Sequence, residues 1–236
     1  MSAEIKVFPK PADVAKAIAQ MLKEKSASVD RLNIALSGGS TPKLLFDILA
    51  VDYKTSIDWK KMHFYWGDER CVPPNNADSN YLMTRQHLFD HIELPQSNVH
   101  RILGEDNPSE EAENYGNILM DQLPIANELP QFDLIILGMG DDGHTASIFP
   151  HQMDLLKTDK VCAVANHPTS GQKRITITGP VINNAKEVAF LVTGSGKKEK
   201  VKSILQATDD HQQYPAAHIV PTAGQLCWWM DEAAAN

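Results

Sequence analysis

The chain has 236 residues, of which 42% are hydrophobic and 22% charged, with a formal net charge of −8. That length can bury a sizeable core, and the composition is that of an ordinary globular protein, expected as a single domain over residues 1–236. The charge argues against nucleic acid or a membrane surface as partner, since no run of Lys and Arg offsets it, but it leaves room for a small anionic substrate. No stretch is apolar for long enough to span a bilayer, and Met1 to Lys6 lack the layout of a signal peptide, so a cytoplasmic setting is expected. Cys71, Cys162 and Cys227 are odd in number and far apart, and read as reduced thiols.

In chain order, Val14, Ile18, Met21 and Leu22 recur at helical spacing between Pro11 and Ser26, and Leu32 to Leu36 reads as a strand. Pro42 to Leu49 predicts a helix with Pro in its first turn, Met62 to Trp66 a strand, and Asn80 to His91 a helix capped by Ser79. Asn107-Pro108-Ser109-Glu110-Glu111 supplies a cap, a first-turn Pro and early acidic residues, and opens a helix through Tyr115, Ile118 and Leu119. Phe132 to Leu137 is apolar enough for a strand buried on both faces. Further strands are expected at Val161 to Ala165, Arg174 to Thr178, Val188 to Thr193 and His218 to Val220, with helices starting near Lys197 and Asp231. Strands separated by helical crossovers make this an α/β chain with a mostly parallel sheet and helices on both faces.

The chemistry collects where strands end. Leu137 to Pro150 passes from an apolar run through Gly138, Gly140 and Gly143 to His144, beside Asp141 and Asp142. The glycines turn the chain at the carboxyl end of a strand, where open α/β sheets bind their ligands. Ser37-Gly38-Gly39-Ser40-Thr41-Pro42 follows a strand and opens a helix. Its N–H groups and hydroxyls suit an anion at the helix's positive end, or equally a tight turn capped by Ser40 or Thr41. It is neither a Walker loop nor a dinucleotide fingerprint, so a nucleotide is unsupported. Gly67-Asp68-Glu69-Arg70 reads as a loop that sets two carboxylates beside a guanidinium. Gly194-Ser195-Gly196-Lys197 places an ammonium at another strand end, and Arg174 offers a second cation. His144 and His151 are seven apart across a proline, and the remaining histidines lack ligand spacing with Cys or carboxylates, so no metal is expected.

Taken together, Ser37 to Pro42, Gly67 to Pro73, Gly138 to Pro150, Arg174 to Gly179, Gly194 to Lys197 and Trp228 to Glu232 resemble the 6-phosphogluconolactonase family nearly end to end. The resemblance implies a modified Rossmann-like three-layer α/β/α sandwich and hydrolysis of 6-phospho-D-glucono-1,5-lactone without a required cofactor. It also raises a rival, because glucosamine-6-phosphate deaminases resemble the same loops. Those enzymes carry an acidic residue where this chain has Phe149, and typically a tyrosine where it has Arg70, and both differences favour hydrolysis. A non-catalytic sugar-phosphate sensor is the alternative of a different class.

A lactone needs a placed water, a base, an oxyanion donor and a handle on the ring. His144 is the expected base and Asp142 its orienting partner, since histidine titrates near neutrality. Arg70 is expected to polarise the carbonyl or hold the oxyanion, with Asp68 binding sugar hydroxyls or fixing Arg70. Gly38, Gly39, Ser40, Arg174 and Lys197 are expected to hold the 6-phosphate.

Overall fold

Apolar runs too short to be helices make the centre of the fold. In the computed structural model, which describes residues 3–208 and 210–236, strand β1 (Glu4–Phe8) precedes helix α1 (Pro11–Ser28). Next come β2 (Leu32–Leu36), α2 (Ser40–Asp52), β3 (Met62–Trp66), β4 (Asp68–Arg70), α3 (Asn80–His87) and α4 (Pro108–Gln122). A short hairpin, β5 (Ile125–Ala126) and β6 (Leu129–Pro130), leads into β7 (Leu134–Leu137). The rest runs β8 (Cys162–Asn166), β9 (Lys173–Ile177), α5 (Gly179–Asn183), β10 (Glu187–Val192), α6 (Lys198–Leu205), β11 (Gln225–Asp231) and α7 (Glu232–Ala235).

The main sheet has six strands in the order β1-β11-β10-β7-β2-β3, and every pairing in it is parallel. All of β2 and β7 is buried, as expected when helices cover both faces of a parallel sheet. From β2 the chain steps outward to β3, then returns past β2 to β7 and proceeds the other way through β10 to β11. The direction therefore reverses between β2 and β7, and the loops leaving those two strands diverge around a crevice. Ser37 Oγ donates to the Ile136 carbonyl at 2.7 Å and ties the two strand ends together below it.

Local signals explain the helices. Ser79 accepts from the Leu82 N–H, and Asn107 accepts from the N–H groups of Ser109 and Glu110, so both expected caps form. Val14, Ile18 and Leu22 face the core from α1. α2 runs longer than Pro42 to Leu49 at both ends, and α3 stops at His87, where Leu88 leaves helical geometry and a 3₁₀ turn follows over Phe89–His91. Among the described residues no helix is long and apolar enough to cross a membrane. Burial pushes the Cys71 thiol up to about 11 and the Cys227 thiol up to about 12, and raises Cys162 as well, so all three are held as unreactive thiols.

Several expectations need correction. The segments Val161 to Ala165 and Arg174 to Thr178 are strands, but with β4 they form a separate antiparallel sheet in the order β4-β9-β8. Asp68 to Arg70 is thus a strand rather than a loop. Only Gly67 separates β3 from β4, its N–H donating to the Leu36 carbonyl and its carbonyl accepting from the Ile177 N–H, so one residue belongs to both sheets. His218 to Val220 is not a strand, because Pro215–His218 form a 3₁₀ turn. The last strand is β11, whose Trp228 stacks on Phe190 of β10 with ring centroids 4.2 Å apart.

Candidate active site

His144 is mounted by its own loop. The Asp142 carboxylate accepts from the His144 backbone N–H at 3.1 Å and from imidazole Nδ1 at 2.5 Å, a two-residue turn that fixes the ring. With Nδ1 donating to that carboxylate, a neutral imidazole keeps Nε2 as an acceptor. Gly140 makes room, since a Cβ there would lie 2.1 Å from Nδ1, and its N–H donates to the His144 carbonyl. Burial pushes the Asp142 carboxyl up, but its bonds to His144 and the imidazole's charge outweigh this and hold it at about 2. Behind the imidazole lies the fully buried Phe149, its ring centroid 4.7 Å away.

The crevice between the β2 and β7 loops holds a cavity of about 190 Å³. It gathers Gly38, Gly39, Asp68, Arg70, His144 and Arg174 from four separate stretches of sequence. Asp142 stands behind His144 rather than on the cavity wall. Ser40 opens α2 and Lys197 closes the turn after β10, and neither lines the cavity. Lys197 pairs with the carboxylate of Asp141. Both lie on the same side of the sheet as the cavity loops, because Thr41 and Thr193 join the β2 and β10 loops by a hydroxyl–hydroxyl bond of 2.9 Å. Asp231 steadies that turn, accepting from the N–H groups of Gly194 and Ala234 at 2.9 Å each.

Strand alternation splits the adjacent carboxylates of β4. Asp68 reaches the cavity, its Oδ2 accepting from Ser147 Oγ at 2.6 Å and lying 3.9 Å from Arg174 Nη1. Glu69 turns the other way and accepts from the backbone N–H groups of Arg70, Asn80 and Tyr81 and from Ser79 Oγ, closing the start of α3. Burial raises the Glu69 carboxyl against those four bonds.

The two arginines of the site meet through the small sheet, where Arg70 of β4 stands directly opposite Arg174 of β9. Arg70 donates to the Asp78 carbonyl, and Arg174 lies over the face of Phe149, its Cζ 5.7 Å from the ring centroid. Among the described residues, the buried Nε of each has no hydrogen-bond partner. Burial lowers the Arg174 guanidinium, Asp68 opposes this, and the like charge of Arg70 adds to it. Among the described residues no cluster of three or more His, Cys, Asp or Glu side chains is arranged to hold a metal ion.

Two participants carry no sequence signal of their own. Asn80 lines the cavity and donates to the Asp68 carbonyl, and a Cβ at Gly38 would lie 1.9 Å from its Oδ1. Ser147 is fully buried and bonds Asp68 across the fold. What brings them together is Asp68 of β4, to which both bond.

Comparison with known proteins gives the family and the fold. A family profile described as "Glucosamine-6-phosphate isomerases/6-phosphogluconolactonase" matches residues 11–228. The chain belongs to this family. A Haemophilus influenzae relative named 6-phosphogluconolactonase is 43% identical over 228 residues, covering 96% of each chain. Among solved structures, one described as devB protein superposes with a TM-score of 0.95 at 44% identity, covering 98% of both chains. A 6-phosphogluconolactonase from Trypanosoma brucei superposes with a TM-score of 0.86 at 30% identity, covering 99% of this chain and 97% of that one. The family's description spans isomerases and lactonases, so membership gives the α/β fold, while the two relatives named 6-phosphogluconolactonase point to the lactonase branch.

Proposed function

We propose that this protein hydrolyses 6-phospho-D-glucono-1,5-lactone to 6-phospho-D-gluconate, the activity named for its relatives at 43% and 36% identity. The observation that carries the mechanism is the meeting of a carboxylate-anchored His144 with the opposed Arg70 and Arg174 in one cavity. His144 Nε2 takes a proton from water as the water oxygen bonds to the lactone carbonyl carbon, and the carbonyl oxygen becomes an oxyanion. Arg70 faces that charge with a guanidinium whose donors are not fully engaged by the protein. Collapse breaks the bond to the ring oxygen, which receives the proton back from the imidazolium, and the new carboxylic acid ionises. Asp142 holds the imidazole through both transfers. Asp68, fixed by Ser147, addresses the sugar hydroxyls.

The cavity is small for an organic ligand, which suits a single ring whose phosphate lies at the open side. There Gly38, Gly39 and Ser40 present the start of α2, where Gly39 at φ +108° adopts a backbone that favours glycine and no side chain caps the helix. Arg174 and Lys197 complete the phosphate site. Deamination of an amino sugar fits less well, because the side chain against His144 is the ring of Phe149 and not an acid. A cytoplasmic location and a single domain belong to this proposal, supported by three unpaired, mostly buried cysteines and one continuous core cluster.

The test is incubation with freshly generated 6-phosphogluconolactone and, separately, with glucosamine 6-phosphate. Acid release well above spontaneous hydrolysis with no ammonia supports the reading, and ammonia from the amino sugar overturns it.

A further inference from the structure

Asp141 has no part in the reaction described above, yet it makes a close contact with a residue of the phosphate site. Its Oδ1 lies 2.5 Å from Lys197 Nζ, and the two side chains differ sharply in setting, Lys197 being 23% exposed and Asp141 90%. The ammonium is thus fixed near the fold while its carboxylate partner stands in water. We propose that Asp141 is a displaceable internal counter-ion of Lys197, a specificity-determining residue that weakens the grip of the site on the substrate's phosphate and on the product's alike. The inference rests on the reading of Lys197 as a phosphate ligand.

The physical argument is one of competition. A phosphate dianion that takes up the Lys197 ammonium meets the Asp141 carboxylate within the same few ångströms, where like charges repel. An exposed carboxylate leaves at little cost, since a surface ion pair holds weakly. Lys200 of α6 also adds to the field that holds the Asp141 carboxyl below its ordinary range, after the bond and charge of Lys197. Lys200 in turn lies over the ring of Tyr214, its Nζ 5.8 Å from the centroid. When product leaves, Asp141 recaptures the ammonium. The phosphate is carried unchanged through lactone hydrolysis, so an ion that opposes it acts equally on ground and transition states. KM and the product Kd then move together while the chemical step does not.

The experiment compares wild type, Asp141→Asn, Lys197→Ala and the double variant. It measures KM for 6-phosphogluconolactone, Kd for 6-phosphogluconate and the single-turnover rate. Asp141→Asn is expected to tighten both constants by about twofold to fivefold, the span of exposed ion pairs, at an unchanged single-turnover rate. In the Lys197→Ala background the same substitution is expected to change neither. An Asp141→Asn variant that binds product no more tightly, beside a weakened Lys197→Ala, overturns this inference alone. Equal tightening with and without Lys197 also overturns it, since Asp141 would then act by diffuse charge. Wild-type binding by Lys197→Ala removes the phosphate-site reading and the inference with it.

Discussion

Arg70 and Arg174 are direct cross-strand partners on β4 and β9, and Asp68 Oδ2, 3.9 Å from Arg174 Nη1, offsets part of their like charge. Opposed like charges destabilise a ladder, and buried guanidinium N–H groups without partners add to the cost. An anion held between the two guanidinium groups would relieve that repulsion.

Product binding should therefore stabilise the protein strongly. At a 6-phosphogluconate concentration about 100 times Kd, the melting temperature is expected to rise by roughly 5–10 °C. Arg174→Gln should lose most of that rise while melting no lower than wild type without ligand. Differential scanning fluorimetry decides it, and a full ligand-induced rise in the variant would show that the anion binds elsewhere.

His144→Gln is expected to lower kcat by about 10²- to 10⁴-fold, the usual worth of a general base. Affinity for 6-phosphogluconate should stay within about twofold, because the base acts on the transition state. Asp142, held at about 2, stays ionised and goes on orienting the imidazole throughout the working range. A flat rate from about pH 5 to 8, corrected for spontaneous hydrolysis, would exclude a histidine base.

Phe149 lies buried against His144 and under Arg174. Phe149→Glu should not yield an efficient deaminase, since it sets an acid in an apolar slot beside a cavity still lined by Arg70. Loss of lactonase activity with no ammonia from glucosamine 6-phosphate is expected in a coupled assay. Robust ammonia release by the variant would show that this position alone separates the two activities.

Far from the cavity, His63 and His100 stack with centroids 5.7 Å apart, and His100 stacks in turn on Tyr65 at 4.4 Å. Burial, then Arg31 and His100, lower His63 to about 4, and burial and Arg31 lower His100 too. Both folded-state values lie below the ordinary 6.5, so the unfolded chain takes up protons first. Stability is expected to decline as pH falls from about 6.5 toward 4. Urea midpoints at pH 7, 6 and 5 test this, and His63→Gln should flatten the decline.

The parallel sheet was legible because β2, β3, β7 and β10 are buried runs with turn signals at their ends, and periodicity reports burial directly. β1 escaped because it is an edge strand with Glu4, Ile5 and Val7 exposed. Among site residues, His144 with Asp142 was readable because the pair is made within one loop. The contact of Asp68 with Ser147 and the opposition of Arg70 to Arg174 were not, because the first joins residues 79 apart in sequence and the second depends on antiparallel pairing between distant strands. Lys197 was singled out by its glycine turn, but nothing local shows that Asp141 occupies it.

The pairing of β1 has a consequence for the order of assembly. Among the described residues β1 forms its ladder only with β11, from Glu4 against Cys227 to Phe8 against Asp231, so this early strand must wait for the last. During synthesis the nascent chain carries Ile5 and Val7 unpaired until Gln225–Asp231 emerges, and closing that loop is the longest-range step in the sheet. Ribosome-bound chains stopped before β11 should leave β1 open to protease, and release of the full chain should close it.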